Sequence, residues 1–510
     1  MSIHDGTFQE SVITALEEQG IIESAIIEDI IAEHLERKTL MEYLDKRSRR
    51  LPADNWYEDY LSTQFNGVPI FDRVFDDELK VNHRLHNDFF NRIASTFTGY
   101  MGNEISIKWD EREIQEIVLK EAQKRIAQFD KRNNMNAKYH EILNYDVKQG
   151  TGYLLLYQKN AELMAKSLKP WECVIIRNQS TNEVDYAMRY WKAESKVLDM
   201  NGQITTQDVM IVEWYDKDKV TYFIESGDGT FVRDEINHPV EQKMDANGKM
   251  YMTDPAEMPH FMGFVPIIEF PKNIDRIGDC EKSLELQDAY NITISDLSAE
   301  IAQLRLSYLL IKALGSDIDS KFLKKLKQTG IIVTDETGEA KFIEKNLNAQ
   351  AVMDLQDLLN KNIFLFSNSV DFSSEEFSGN MPIIAFKLKT KPLEESAKET
   401  EIYMKQALSE MYRIIANFWK VKDGFELPVD AMSFVFTRNL PVNTTEEIDN
   451  FVKIKGLLSD ETALGQLSFV GDINEEMERM KNQQEEQDMR IYQNMNTEEQ
   501  SDQITEESNR

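Results

Sequence analysis

GTGYLLLYQKNAELMAKSLKPWECVIIRNQSTNEVDYAMRYWK, residues 150–192, is where the pattern of the chain changes. Upstream of Gly150, apolar residues recur at helical spacing. From here they come in short runs rich in Val, Ile, Tyr and Trp, cut by turn residues. YLLLYQ (153–158), ECVIIR (172–177), VDYAMRYWK (184–192), QDVMIVEWY (207–215), KVTYFIE (219–225) and TFVRDE (230–235) are each strand-like. Turn chemistry separates them at Thr181-Asn182, Asn201-Gly202, Asp216-Lys217-Asp218 and Asp228-Gly229. The spacing predicts an antiparallel meander over 151–270. It leaves through HFMGFVPIIEFPKN (260–273), where Pro266 and Pro271 favour an edge strand.

Helical patterns flank this block on both sides, which makes the expected fold class α+β. Residues 8–50 alternate apolar pairs with acids and read as one or two amphipathic helices ending before Pro52. Residues 85–101 predict another helix and ISIKW (105–109) a short strand. Residues 110–149 are helical again, with a stripe through Ile114, Ile117, Ala122 and Ile126. Downstream, Tyr290, Ile294, Leu297, Ile301, Leu304 and Tyr308 recur at alternating spacings of four and three, the heptad stripe of a long helix. GIIVTDETGEAKFIEKN (330–346) reads as a hairpin around Asp335-Glu336-Thr337-Gly338, with Ile331, Ile332, Val333 and Phe342 on its strands. A second helix over 349–368 carries Val352, Leu355, Leu359, Ile363 and Phe366. The polar stretch VDFSSEEFSGN (370–380) then leads to a helix opened by Pro392. Glu394, Glu395, Glu399 and Glu401 lie in its early turns and Lys405, Arg413 and Lys420 later, as the helix dipole favours. Its stripe is Met404, Leu408, Met411, Ile415 and Phe418, and Gly424 and Pro428 stop it. MSFVFTRNLP (432–441) is one more strand, and short helices begin at TEEIDNFVKIKGLL (445–458). From about Glu485 aromatics nearly vanish, and the composition predicts disorder.

Composition narrows the function. Over 510 residues, 90 acidic side chains against 58 Lys plus Arg give a formal charge of −32, the reverse of a protein that grips DNA phosphates. Cys173 and Cys280 cannot form a disulfide framework and fit a reducing compartment, each as a small apolar filler. The start, MSIHDGTFQE, lacks the signature of a signal peptide, and no apolar run approaches the roughly 20 residues of a membrane span. No Gly-rich phosphate loop is present. His140-Glu141 lacks a second histidine at Asn144, and His83 and His86 have no accompanying ligands. Asp245-Ala246-Asn247-Gly248 is half of a calcium loop without its twelfth-position Glu, and reads as a turn. Glu375-Glu376 reads as solvated surface. No catalytic residue, metal site or cofactor is expected.

Four stretches, in order, resemble the portal proteins of tailed bacteriophages, particularly long-tailed phages of Gram-positive hosts. NRIASTFTGYMGNEISIKW (91–109) resembles the family's helix ending in a Gly-Tyr-x-Gly turn before a strand. HFMGFVPIIEFPKN followed by GDCEKSLELQDAYNITISDLSAEI (within 260–301) resembles its Pro-containing strand, Gly-Asp link and long helix. VDFSSEEFSGN resembles its Ser-rich loop, and SFVFTRNLP (433–441) its strand ending in Arg-Asn-x-Pro. One departure is Met381-Pro382-Ile383-Ile384-Ala385, where the family often continues Ser-Gly-x-Ala. Pro382 restricts the loop's exit.

The resemblance implies an elongated subunit. Residues 1–40 would be a helical extension. Residues 41–278 with 386–444 would form a sheet-containing wing whose long helix is 386–422. Residues 279–304 and 347–369 would be stem helices, packing through Tyr290, Ile294, Leu297, Ile301, Leu304, Leu355, Leu359 and Ile363. Residues 305–346 would be a clip, 445–485 a crown, and 486–510 an acidic tail. Residues 370–385 would be a tunnel loop, with Asp371, Phe372, Ser373, Ser374, Glu375, Glu376, Phe377, Ser378, Gly379 and Asn380 facing a DNA channel. It also implies a dodecameric ring at one capsid vertex of the virion, assembled in the host cytoplasm. Double-stranded DNA would pass through it without sequence recognition. The partners implied are the terminase large subunit, a head–tail adaptor, and the major capsid and scaffolding proteins, with no membrane. Two other readings compete. A packaging nuclease or ATPase would need a phosphate loop or carboxylate cluster, and an adaptor or scaffold would be shorter or mostly helical.

Overall fold

The computed structural model describes residues 24–48, 83–304, 308–312, 339–343, 349–439 and 444–483, apart from single residues and short turns that include 375–376 and 378–382. The expected stretches 8–23, 330–338 and 486–510 lie outside the described residues. The fold mixes helices with antiparallel sheets. Two compact units divide the chain, one of residues 1–381 with 385–438 and one of 382–384 with 439–510.

In the first unit, helix α1 (Ser24–Ser48) precedes α2 (Phe89–Met101), strand β1 (Ile105–Trp109), α3 (Glu116–Asn133) and α4 (Met135–Gln149). The helix expected from residue 85 begins only at Phe89, where the Asp88 carboxylate accepts the Asn91 N–H at 3.1 Å as an N-cap. The helical stretch expected over 110–149 comprises α3 and α4, parted at Asn134, which takes the left-handed conformation at φ 51°. Ala122 and Ile126 are buried, but Ile117 of the expected stripe is 83% exposed.

The meander expected over 151–270 is two sheets. Strands β2 (Thr151–Lys159) and β3 (Glu162–Leu168) form a hairpin, and β12 (Ile267–Pro271) pairs with β2 as the edge strand foreshadowed by Pro271. The hairpin turns through Asn160 and Ala161, both at positive φ, the conformation of a two-residue primed turn. After Pro170 the chain crosses to a six-stranded sheet. Its strands are β4 (Cys173–Arg177), β5 (Val184–Leu198), β6 (Ile204–Tyr215), β7 (Lys219–Glu225), β8 (Phe231–Arg233) and β11 (Glu257–Pro259), in the order β11-β7-β6-β5-β4 with β8 added to β7. A small ribbon pairs β9 (Gln242–Met244) with β10 (Met250–Met252); of the turn expected at 245–248, Ala246, Asn247 and Gly248 lie outside the described residues, and Asp245 Oδ1 accepts the Lys249 N–H at 2.7 Å.

Side-chain alternation explains why CVIIR reads as an unbroken apolar run. Cys173 and Ile175 point with Ala187, Tyr215 and Val220 toward Tyr153, Leu155 and Ile267 of the three-stranded sheet. Val174 and Ile176 point the other way with Met188, Tyr190, Val212 and Trp214, where Ile27 and Ile30 of α1 cover them. Both faces of β4 are therefore dry.

Helix α5 (Leu284–Leu304) follows, then β13 (Tyr308–Lys312) paired with β14 (Glu339–Ile343), α6 (Ala349–Phe366), α7 (Ile383–Lys389) and α8 (Lys391–Asp423). Tyr308 thus starts a strand rather than extending the heptad helix. The helix expected over 386–422 is interrupted at Thr390, so α7 and α8 are distinct. Met404, Leu408, Met411, Ile415 and Phe418 are all buried within the chain's own core. Strand β15 (Met432–Phe436) pairs with β1. In the second unit, α9 (Thr444–Ile454) and α10 (Asp460–Leu464) bury Ala463, Leu464 and Leu467.

Two close approaches fix how α4, β2 and the start of α5 meet. Gly150 sits at φ +79°, and a Cβ there would lie 2.0 Å from the Arg276 carbonyl oxygen; a Cβ on Gly278 would lie 2.5 Å from the Lys148 backbone. Gly150→Ala should therefore cost about 3 kcal/mol or more in chemical denaturation, whereas Gly227→Ala, with nothing within 4 Å, should stay near wild type.

Candidate functional site: the serine-rich loop and the helices that carry it

Helix α5 is held by polar contacts along one face. Ser283, Gln287, Asn291 and Ser295, spaced four apart, are fully buried. The last three receive the chain segment before α2, while Ser283, just ahead of α5, donates to the Cys280 carbonyl. The Leu85 N–H donates to Ser295 Oγ at 2.8 Å, the Asn87 N–H to Asn291 Oδ1 at 2.9 Å, and Gln287 Nε2 donates to the Asn87 carbonyl at 2.6 Å. His83 and His86 join this ladder, contacting Ser298 Oγ at 2.7 Å and Asn291 Nδ2 at 3.4 Å. Among the described residues no group of three His, Cys, Asp or Glu could hold a metal.

The heptad residues expected to pack α5 and α6 are placed unequally. Leu359 and Ile363 are buried, Tyr290 meets Phe89 edge-on at 5.0 Å, and Phe364 meets the same Phe89 ring edge-on at 5.9 Å. Ile294 and Leu297 are half-buried, whereas Ile301 and Leu355 are 55% and 44% exposed. The side chain of Leu304 lies outside the described residues. So does the expected hairpin tip with Ile331, Ile332, Val333, Asp335, Glu336 and Gly338. Phe342 lies on β14, opposite Leu309.

At the end of α6, Asn368 takes φ 51° and the Ser369 N–H donates back to the Phe364 carbonyl, closing the helix. Val370 is buried. Asp371 Oδ1 accepts both the N–H and the hydroxyl of Ser373, at 3.0 and 2.6 Å. Phe372 and Phe377 meet edge-on at 5.2 Å, and Phe386 of α7 completes the group, stacked on Phe372 at 6.1 Å and edge-on to Phe377 at 6.0 Å. The Lys389 ammonium lies 5.3 Å from the Phe377 ring. Ser374 is half-buried; Glu375, Glu376, Ser378, Gly379 and Asn380 lie outside the described residues. The described part of the loop is thus a small aromatic knot tied to α7.

Helix α8, the start of α5 and α2 are braced at a buried junction that the sequence reading missed. The Lys272 ammonium, 2% exposed, donates to Ser396 Oγ and Thr400 Oγ1 at 3.0 Å each, lies 3.0 Å from Asp279 Oδ2, and sits 3.5 Å over the Phe97 ring. Burial alone would raise the Asp279 carboxyl, but Lys272 and Lys282 hold it below its ordinary value. Glu269 is buried beside it on β12. Burial opposes its charge, yet the guanidiniums of Arg276 and Arg177, at 2.7 and 2.9 Å, bring its pKa down to about 2. Arg37 of α1 reaches the same place, donating to the Gln149 and Arg276 carbonyls and to Glu281. Cys280 is buried there, its thiol pushed up by burial, and Cys173 likewise lies in the sheet core.

The profile of the family described as phage portal protein, SPP1 Gp6-like, matches residues 37–489. The chain belongs to this phage portal family. A portal protein of Clostridium phage phiCD119 is 25% identical over 309 residues, 59% of this chain and 62% of that relative, so the match spans less than two thirds of it. The portal protein of Bacillus phage SPP1 is 20% identical over 502 residues, 96% of this chain and 92% of that relative.

Within a portal-family chain, the motif residues act as joints. The Tyr100 hydroxyl donates to Glu394 at 2.6 Å, and Arg438 donates to Glu394 and Glu401 at 3.0 and 2.7 Å. That ties the Gly-Tyr turn and the strand ending in Arg-Asn to the first turns of α8. Gly102 lets the chain pass the Thr437 carbonyl, which a Cβ would approach to 2.7 Å. Asp279, of the Gly-Asp link, holds Lys272.

The Glu269 cluster generates a pH prediction. Its folded pKa lies below the ordinary 4.5, at about 2. Its stabilisation is therefore complete above pH 4.5 and lost as pH falls toward 2. Glu269→Gln should lower stability at neutral pH by about 3 kcal/mol and flatten that acid limb in pH-dependent denaturation.

Proposed function

We propose that the chain is the portal subunit of a tailed phage. It assembles as a dodecameric ring at one capsid vertex of the virion and passes double-stranded DNA without reading its sequence. The observation that carries this is the family match over residues 37–489. In this reading residues 41–278 and 386–444 are the wing, 279–304 and 347–369 the stem, 305–346 the clip and 445–485 the crown. The role is structural rather than catalytic. The terminase large subunit and a head–tail adaptor dock on the clip, and capsid and scaffolding proteins surround the ring.

Surface chemistry supports assembly. Ile301 on α5 and Leu355, Leu358, Leu365 and Phe366 on α6 are exposed apolar side chains on two adjacent helices, the α6 four on one side of that helix, a band suited to a neighbouring copy. The buried stripe of α8 is spent inside the subunit, so ring contacts fall to the stem. Among the described residues no helix is long and apolar enough to cross a membrane. A formal charge of −32 per chain limits adhesion to phosphate within the roughly 10 Å over which charges act at 0.1 M salt.

Electron microscopy and native mass spectrometry of the purified chain should show a closed ring of about twelve copies with an axial hole, the closed cyclic symmetry expected of such assemblies. A different arrangement inside virions would overturn the reading.

The loop 370–380 is the channel constriction in this proposal, and the aromatic knot ties its Phe372 and Phe377 to α7. Phe372→Ala with Phe377→Ala should leave ring assembly intact, because neither ring lies in the sheet core, while genome retention in filled particles drops. Wild-type retention with an ordered loop would remove the constriction role.

A further inference from the structure

The acidic balance of the chain is broken beside the loop. Residues 383–391, IIAFKLKTK, carry three lysines and no acid. Two are solvent-facing: Lys387 is exposed, and the Lys391 side chain is 66% exposed. Lys389 rests over Phe377.

Helix stability accounts for only part of this. Lys387 and Lys389 lie in the last turn of α7, where the dipole welcomes a cation. Lys391 is the first residue of α8, after the N-cap Thr390, where a positive charge opposes the dipole. Its pair with Glu395, 3.5 Å apart on an exposed surface, offsets little. A residue that works against its own helix is better explained by an external partner.

Geometry supplies the link to a partner. Phe386 belongs to the aromatic knot with Phe372 and Phe377, so α7 cannot move independently of the loop. The knot places Lys387 and Lys389 one and three residues from that joint, and the Lys389 ammonium lies 5.3 Å from the Phe377 ring of the loop itself.

We propose that Lys387, Lys389 and Lys391 form a basic band beside the loop that contacts the phosphates of duplex DNA. The proposal rests on the portal reading above. Repeated around a ring, the band sets brief attractive contacts in a chain whose formal charge is otherwise strongly negative, −32 in all. A lysine ammonium on a flexible stem suits a moving backbone, since it makes point-charge contacts without a fixed geometry. The competing role is internal, with the lysines neutralising Asp371, Glu375 and Glu376 of the same loop.

Site-specific cross-linking in filled particles separates these. Single cysteines, Ser373→Cys in the loop, Lys387→Cys in the band and Lys420→Cys as a control, would carry a photoactivatable group. Residue 420 lies about 44 Å along α8 from residue 391. The expected result is cross-linked DNA from residues 373 and 387, each well above the control. DNA from 373 alone overturns the basic band and leaves the loop as a channel element. DNA from neither overturns the portal-loop reading itself, and the band with it.

A second measurement uses Lys387→Gln with Lys391→Gln, against the Lys→Arg pair. Neutral variants should lose their genomes at lower temperature than wild type, with the gap narrowing as salt rises; the arginine pair should retain them. Equal retention by glutamine and arginine variants would also overturn the band.

Discussion

One buried cation organises the frame. Lys272 leaves the three-stranded sheet at the end of β12 and reaches a point where α2, α8 and the start of α5 converge. Moving an ammonium out of water costs several kcal/mol, recovered only when its donors are all met. Here Ser396, Thr400 and Asp279 take those donors, and the Phe97 ring lies beneath. An apolar side chain of equal size would fill the space, but it would accept small slides of one helix past another. Three directed contacts do not. Ser396 and Thr400 stand one turn apart on α8, so the ammonium fixes the translation and the rotation of that helix together.

The neighbouring carboxylates show how finely the junction is balanced. Glu269 has two guanidiniums and stays ionised, whereas Asp146, fully buried nearby, is pushed well above the ordinary carboxylate range by burial despite Lys272. The Tyr100–Glu394–Arg438–Glu401 group performs the same service farther along, at the opening turns of α8. Sheet, long helix and stem helix are thus joined by polar locks, while their interiors are ordinary apolar packing.

What the sequence made legible follows the physics of each signal. Strands β4 to β7 and the apolar stripe of α8 were readable because their burial leaves an uninterrupted pattern. Strand β3 was not, since ELMAKSL mixes Lys and Ser into a half-exposed edge and turns through Ala161, a residue with no turn preference. The sheet was read as one because hairpin chemistry gives sequence neighbours and says nothing about where a hairpin later docks. On α5 the heptad residues drew attention, yet the fully buried positions are Gln287, Asn291 and Ser295. Polar residues four apart carry no hydrophobic signal, and their partners lie about two hundred positions upstream. Lys272 and Asp279 fall to the same blindness: a lone buried ion pair looks like any surface pair in a sequence. The three lysines after the loop were plainly visible, and the total charge of the chain obscured them.

The side-chain ladder on α5 has a consequence for how the subunit responds to load. Gln287, Asn291 and Ser295 are fully buried, so a partner lost from any of them is not replaced by water. A buried donor or acceptor left unmade costs about 1–3 kcal/mol, more than the bond contributes when formed. With Ser298, these side chains grip the segment 83–87 at successive turns. Twisting the helix about its axis therefore loads several directed contacts at once. Its root at Asp279 is held by Lys272 and Lys282, so torque applied along the helix is delivered to the junction with the sheet.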